Sequence, residues 1–217
     1  RKKIPNVESS NGFKILRNNF NNFISDRMFI FLLCFAGLGC CVAMSMPQVH
    51  LVSYCVDLGY GAIVGGQMLS LMLLGGTISR LVFGAIADRI GGLKTLFIGS
   101  ALQCSALLFY IPFEGLTSLY VISLIFGLSQ GGIIPSYAII VREYMPSKEA
   151  GTRIGVVIMI TIFGMALGGW VSGKIYDLFG SYQLAFLNGI IWNLINISIV
   201  IFLLMVFSRK DKNEILN

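Results

Sequence analysis

The chain has 217 residues, 56% of them hydrophobic and only 12% charged, with a mean hydropathy of +0.81 and a formal net charge of +6. A soluble globular domain carries about 25% charged residues, so water is excluded as the solvent for most of this chain. The cysteines Cys34, Cys40, Cys41, Cys55 and Cys104 lie in or beside apolar runs without metal-ligand spacing, and they read as small buried hydrophobes.

A helix rises about 1.5 Å per residue and a hydrocarbon core is about 30 Å thick, so a span needs about 20 mostly apolar residues. Six stretches satisfy this in chain order: 28–54, 61–87, 93–112, 116–141, 154–176 and 182–207. The links, 55–60, 88–92, 113–115, 142–153 and 177–181, are too short for a soluble domain. Alternating polarity in segments of about 10 residues, the mark of a transmembrane strand, does not occur in these runs, which leaves helices as the spanning element. The expected organisation is a segment 1–27, a six-helix bundle 28–207 divided into 28–112 and 116–207, and a tail 208–217. Residues 1–27 set Phe13, Ile15, Leu16, Phe20, Phe23 and Ile24 among Lys, Arg and Asn, which fits either an interfacial helix or a loosely ordered linker. The chain begins with Arg1, and its first apolar run is longer than a signal-peptide core, so it reads as a fragment or processed product.

All but two of the 16 Lys and Arg fall on one side of the bundle, in the termini and the Arg-bearing links. Lys174 lies on the other side and Arg80 inside a span. The positive-inside rule puts the basic side, with both termini, in the cytoplasm of a plasma (inner) membrane protein. The pI of 9.2 therefore does not indicate nucleic acid, because the charges are spread over separate segments rather than one patch. Attraction to anionic membrane lipid accounts for them.

Sliding the chain along itself brings GAIADRIG at 84–91 onto GKIYDLFG at 173–180, a shift of 89, both reading G-x-I-x-D-x-x-G. The same shift pairs Gly66 with Gly155 and Gly75 with Gly164; a shift of 88 pairs Gly39 with Gly127 and Pro47 with Pro135. Spans 1 to 3 thus resemble spans 4 to 6, and an odd number of spans per repeat makes the repeats inverted. The segments SMP at 45–47 and GGIIP at 131–135 place helix breaks at Pro47 and Pro135, read either as static kinks or as parts of a pathway.

The segment Gly84-x-x-x-Asp88-Arg89-x-Gly91-Gly92-x-Lys94 resembles the signature between the second and third helices of each half of the major facilitator superfamily, departing at Gly92, where a basic residue is usual. The glycines Gly151, Gly155, Gly164, Gly168 and Gly169 and the ending GKIYDLFGSY at 173–182 resemble the carboxylate-transporting branch, which includes monocarboxylate transporters and oxalate and formate exchangers. The resemblance covers 28–207 and implies an all-α membrane protein, helices seven to twelve of a twelve-helix transporter whose partner is an N-terminal six-helix half. It gives Gly84, Asp88, Arg89 and Gly91 the role of a cytoplasmic gate; the plainer alternative is a solvated turn whose glycines permit tight packing.

Arg80 is the one charged residue well inside a span. A guanidinium clamps a carboxylate through two parallel hydrogen bonds, so Arg80 is the main candidate for an organic anion; alternatively it snorkels to the interface. The branch carries an Arg before a glycine-rich turn in helix eight, as SRLVFG at 79–84 does here. Gly76 stands where the monocarboxylate type has an Asp, and 157–164 lacks the Lys of the oxalate type. One fixed cation favours a monoanion.

His50 and Gln48 lie beside Pro47, and His50 is a candidate for proton coupling or a hydrogen-bonded structural residue. Ser129, Gln130 and Tyr137 flank the second break as candidates to line a cavity, although interhelical hydrogen bonding is the usual role of such groups. No Asp or Glu lies mid-span, so a proton-coupling carboxylate is expected in the other half, with a proton or counter-anion as coupling species. The expected function is secondary transport of a small organic anion, a monocarboxylate, by alternating access, with no catalysis, cofactor or metal. A six-helix pore or a homodimeric half-carrier is the rival. The GLSQG at 127–131 matches G-x-S-x-G, but a hydrolase elbow needs a strand-to-helix turn and not a long apolar helix.

Overall fold

The computed structural model describes residues 25–214, so the segment at 1–24 and the end of the tail at 215–217 lie outside the described residues. The helices are α1 (Asp26–Asp57), α2 (Ala62–Ile90), α3 (Gly92–Phe109), α4 (Leu116–Gln130), α5 (Ile133–Tyr144), α6 (Ser147–Phe179) and α7 (Tyr182–Glu214). Among the described residues there are six units long and apolar enough to cross a membrane, α4 and α5 together forming the fourth, Leu116–Tyr144.

Ser25 starts α1 as an N-cap, its hydroxyl accepting the Met28 N–H at 3.3 Å, with Asp26 in the first turn where the helix dipole favours a carboxylate. Between α2 and α3 only Gly91 is non-helical; its φ of 85° is open to glycine and strained for other residues, which allows so abrupt a joint. Gly180, its counterpart in the repeat, also has a positive φ, 65°, and ends α6.

Two sequence expectations change. The link expected at 142–153 is mostly helical, because the polar stretch after Pro146 begins α6 at Ser147. Hydropathy marks only the apolar part of that helix. The break expected at Pro47 does not occur: α1 runs through it unbroken, with Pro47 buried and the Ser45 hydroxyl donating to the Val42 carbonyl at 2.9 Å. In span 4 the interruption is at Gly131 and Gly132, so Pro135 falls in the first turn of α5, where its missing N–H leaves no gap in the ladder. The last bond of α4, Gly131 N–H to the Gly127 carbonyl, is stretched to 3.4 Å, and α5 starts with Ser136 N–H to the Gly132 carbonyl at 3.2 Å.

Packing carries the inverted repeat. The two most extensive interfaces are α1 on α6 and α2 on α4, which exchange when the two triplets are exchanged. Gly75 and Gly164, paired at the shift of 89, behave alike. A Cβ at Gly164 would stand 2.8 Å from the Leu38 carbonyl oxygen on α1, and one at Gly75 would stand 3.1 Å from that of Leu124 on α4. The pair at the shift of 88 does not, since Gly39 abuts Trp192 and Gly127 abuts Met72.

Spans 1, 3, 4 and 6 are pinned by fully buried polar side chains. Tyr137 donates to Asn196 Oδ1 at 3.2 Å, and Asn196 donates to Ser100 Oγ at 2.7 Å and to Asn193 Oδ1 at 3.3 Å. Asn193 in turn donates to the Ser100 carbonyl at 3.1 Å. Gln103 donates to the Cys40 carbonyl and accepts from its thiol, both at 3.3 Å. Hydrocarbon offers these groups no alternative partner, so the network fixes one arrangement of the helices.

The α2–α4 contact gives a test. A Cβ at Gly127 would lie 2.1 Å from the Met72 carbonyl oxygen, whereas one at Gly66 meets nothing within 4 Å. Gly127→Ala is expected to exceed the about 1–3 kcal/mol of an ordinary overpacked site and lower the melting temperature measured in detergent. Gly66→Ala is expected to leave it unchanged.

Candidate functional site

Arg80 sits on α2 about 15 Å from its last residue, one turn beyond Gly76. Its side chain lines a cleft of about 250 Å³ between four spans. The α1 wall supplies Met44 and Gln48, α2 supplies Leu73 and Gly76, span 4 supplies Gln130, Gly131 and Ile134, and α6 supplies Met165.

The cleft exists because α2 and span 4 approach backbone to backbone. A Cβ at Gly131 would stand 2.0 Å from the Gly76 carbonyl oxygen, so any side chain at 131 would push the two helices apart. That approach brings Gln130, the last residue of α4, beside Arg80. Gln48 Nε2 donates to Gln130 Oε1 at 3.0 Å across the cleft. The pairing leaves the two N–H donors of Gln130 and the carbonyl oxygen of Gln48 free for a ligand.

Arg80 is exposed and has no ion pair or hydrogen bond among the described residues. In a span, an unpaired guanidinium calls for an anionic partner. The described carboxylates pair elsewhere or lie toward the helix ends, so the cleft has one positive charge, two carboxamides and an otherwise apolar wall.

Of the residues expected at the site, the structure brings together Arg80, Gln48 and Gln130 and leaves out His50, Ser129 and Tyr137. His50 Nε2 lies 2.9 Å from the Gly169 carbonyl of α6, a bond that requires the proton on Nε2, and its ring packs against Tyr182 at the start of α7. The Ser129 hydroxyl turns back to the Phe126 carbonyl at 2.8 Å, and Tyr137 belongs to the buried network. Each misplacement is a matter of rotation about a helix axis: Ser129 precedes Gln130 by about 100°, which puts its side chain on another face.

The signature turn is held by a residue that the sequence reading missed. Both carboxylate oxygens of Glu143, at the end of α5, accept the Gly92 N–H at 3.1 and 3.0 Å, capping α3. The departure at Gly92 has a packing reason, since a Cβ there would stand 2.8 Å from Ile140 Cγ1. Glu143 and Gly92 are 51 residues apart, so no local pattern announces the pair. Asp88 and Arg89 are exposed, with no ion pair among the described residues, and Gly84 faces open space. Nearby, Arg153 joins α6 to α1 through Asp26 at 3.3 Å and also contacts Glu149. At the opposite end, Tyr176 donates to Asp57, and Asp177, the repeat counterpart of Asp88, lies 3.6 Å from Lys174.

The sequence model of the Major Facilitator Superfamily matches residues 31–216. Monocarboxylate transporter 13 of Rattus norvegicus is 26% identical over 143 residues, covering 65% of this chain and 33% of that protein. Monocarboxylate transporter 10 of the same organism is 30% identical over 154 residues, 65% of this chain and 28% of that one. Probable anion transporter 5 of Arabidopsis thaliana is 30% identical over 137 residues, 60% of this chain and 31% of that protein. The chain therefore spans about a third of the length of these relatives. A solved peptide transporter POT in complex with sulfate superposes with a TM-score of 0.71 at 18% identity, covering 79% of this chain and 37% of its own, a likeness of fold.

Removing the Glu143 cap is expected to loosen the signature turn. Glu143→Ala should cost about 0.5–2 kcal/mol, as loss of a helix cap does, and speed amide exchange at Gly92 to Thr95. Glu143→Gln, which keeps an acceptor, should cost less. Equal exchange in all three proteins would remove the cap from the account.

Proposed function

The chain belongs to the Major Facilitator Superfamily, and we propose that it is the carboxy-terminal six-helix half of a secondary transporter for a small organic monoanion with an apolar body. The observation that carries this reading is Arg80, without a partner in a cleft whose other polar groups are the amides of Gln48 and Gln130. A carboxylate would accept two parallel hydrogen bonds from the guanidinium. Gln130 would donate a further bond, and Gln48 acts as a positioning residue by fixing the Gln130 amide. Met44, Leu73, Ile134 and Met165 would take the apolar part. The names of the matched relatives, monocarboxylate and anion transporters, support the same substrate class.

The remaining groups of the site belong to an amino-terminal half, against which this half rocks in alternating access. The stretched turn at Gly131 and Gly132, next to the anion, is the point where span 4 bends during that motion. The coupling species is a proton or a counter-anion. A proton-accepting carboxylate would come from the other half, since among the described residues no Asp or Glu lies mid-span. In this reading the signature end and both ends of the chain face the cytoplasm of a plasma (inner) membrane, which the basic bias supports.

Uptake of labelled monocarboxylates into proteoliposomes containing the full-length protein tests the assignment. Losing a charge-assisted hydrogen-bond pair, about 1.5–3 kcal/mol, should weaken substrate affinity about 10- to 100-fold in Arg80→Gln, with Arg80→Lys intermediate. His50→Gln, which keeps a donor for the Gly169 carbonyl, should stay within about twofold of the parent, well below the loss of a charged hydrogen bond. Unchanged affinity in Arg80→Gln would sink the site.

A further inference from the structure

Outside the substrate cleft, the bundle surface carries two apolar grooves that the inverted repeat relates to each other. The first, about 540 Å³, lies between α1 and α7 and is lined by Leu32, Phe35, Ile191, Ile195, Ser198 and Ile199. The second, about 340 Å³, is lined by Phe109 and Phe113 at the end of span 3 and by Thr117, Val121 and Ile125 of α4. Exchanging the triplets takes span 1 to span 4 and span 6 to span 3, so one groove maps onto the other with its ends reversed.

Their rims differ in charge. On α1, residues one turn apart run Arg27, Phe31, Phe35; Arg27 is exposed, and the two rings, 68% and 41% exposed, stack at 6.5 Å. On α7 the exposed stripe runs through Ser198, Phe202 and Met205. The one hydroxyl in the wall, Ser198, is turned inward to the Leu194 carbonyl at 2.8 Å, so the groove presents hydrocarbon alone. The first groove thus runs from an apolar floor to an arginine-bearing rim at the signature end. The second opens beside Glu114, at the end where the described basic residue is Lys174 on α6.

We infer that the α1–α7 groove is a binding site for an anionic phospholipid, its acyl chain lying over Leu32, Phe35 and Ile195 and its phosphate at Arg27. An acyl chain fits a shallow apolar channel that offers no hydrogen bond, and the cation at one end only gives the headgroup a fixed place. The repeat-related groove has the same kind of floor without that rim, so it selects no anionic lipid. The bundle therefore contains its own control. This inference stands apart from the Arg80 assignment, since neither groove reaches the cleft.

The test uses the full-length protein in its native membrane with a photo-crosslinking residue, benzoylphenylalanine, at Ile195 or at Ile125. Position 195 should capture anionic phospholipid well above its share of the bilayer, and position 125 should capture lipids in proportion to that share. Arg27→Gln should lower the anionic yield at 195 about fivefold, the weight of one basic residue at a membrane surface. A melting temperature equal to the parent's checks that this variant is folded. A polypeptide captured at 195 would overturn the inference in favour of a helix seated in the groove. Equal anionic yields at 195 and 125, or no response to Arg27→Gln, would overturn it in favour of ordinary bilayer solvation.

Discussion

The approach of α2 and span 4, backbone to backbone, is the constraint on which the rest of this structure depends. Gly127 faces the Met72 carbonyl and Gly131 the Gly76 carbonyl at distances that no Cβ could occupy. Between helices in lipid the hydrophobic effect contributes little, so contact depends on small residues that let backbones meet. Gln130 adjoins Gly131, and Arg80 follows Gly76 by one turn, so the packing that joins the helices also assembles the cleft. The same glycines leave span 4 with its one weak turn.

Polar groups are treated in two opposite ways. In the interior, Tyr137, Asn196, Asn193, Ser100, Gln103 and Cys40 satisfy one another and tie four spans into a body with a single arrangement. In the cleft, Arg80 stands open and the Gln48–Gln130 pair keeps donors in reserve. A buried network completed from within can only hold helices together. A permanent cation left without a partner is the opposite case, and this contrast separates the residues of the network from those of the cleft.

The helix ends show how the repeat is shared and then made asymmetric. Gly91 and Gly180 both take a positive φ at equivalent joints, although only Gly180 is left-handed helical. Yet Asp177 lies beside Lys174, while Asp88 is exposed and the turn next to it is braced by Glu143 instead. An exposed Asp88–Arg89 pair above a braced turn is suited to meeting a surface from outside this half, whereas the opposite end closes on itself through Tyr176 and Asp57.

The membrane spans, the inverted repeat and the singular position of Arg80 were legible in the sequence. Hydropathy, glycine spacing and charge count along the chain, and lipid punishes exceptions to each. Rotation about each helix axis was not legible. Only the packed bundle put Gln48 and Gln130 with Arg80 and turned His50, Ser129 and Tyr137 away, because neighbouring residues differ by about 100° and the partner that selects a face lies on another span. The same holds for Glu143, whose partner is 51 residues distant, and for Pro47 and Pro135. A proline fixes its own φ and removes one donor, but whether a helix breaks there is decided by what packs around it. Composition and periodicity determined that this chain is a bundle of membrane spans; the contact of glycine with carbonyl decided which polar residues share a cleft with Arg80.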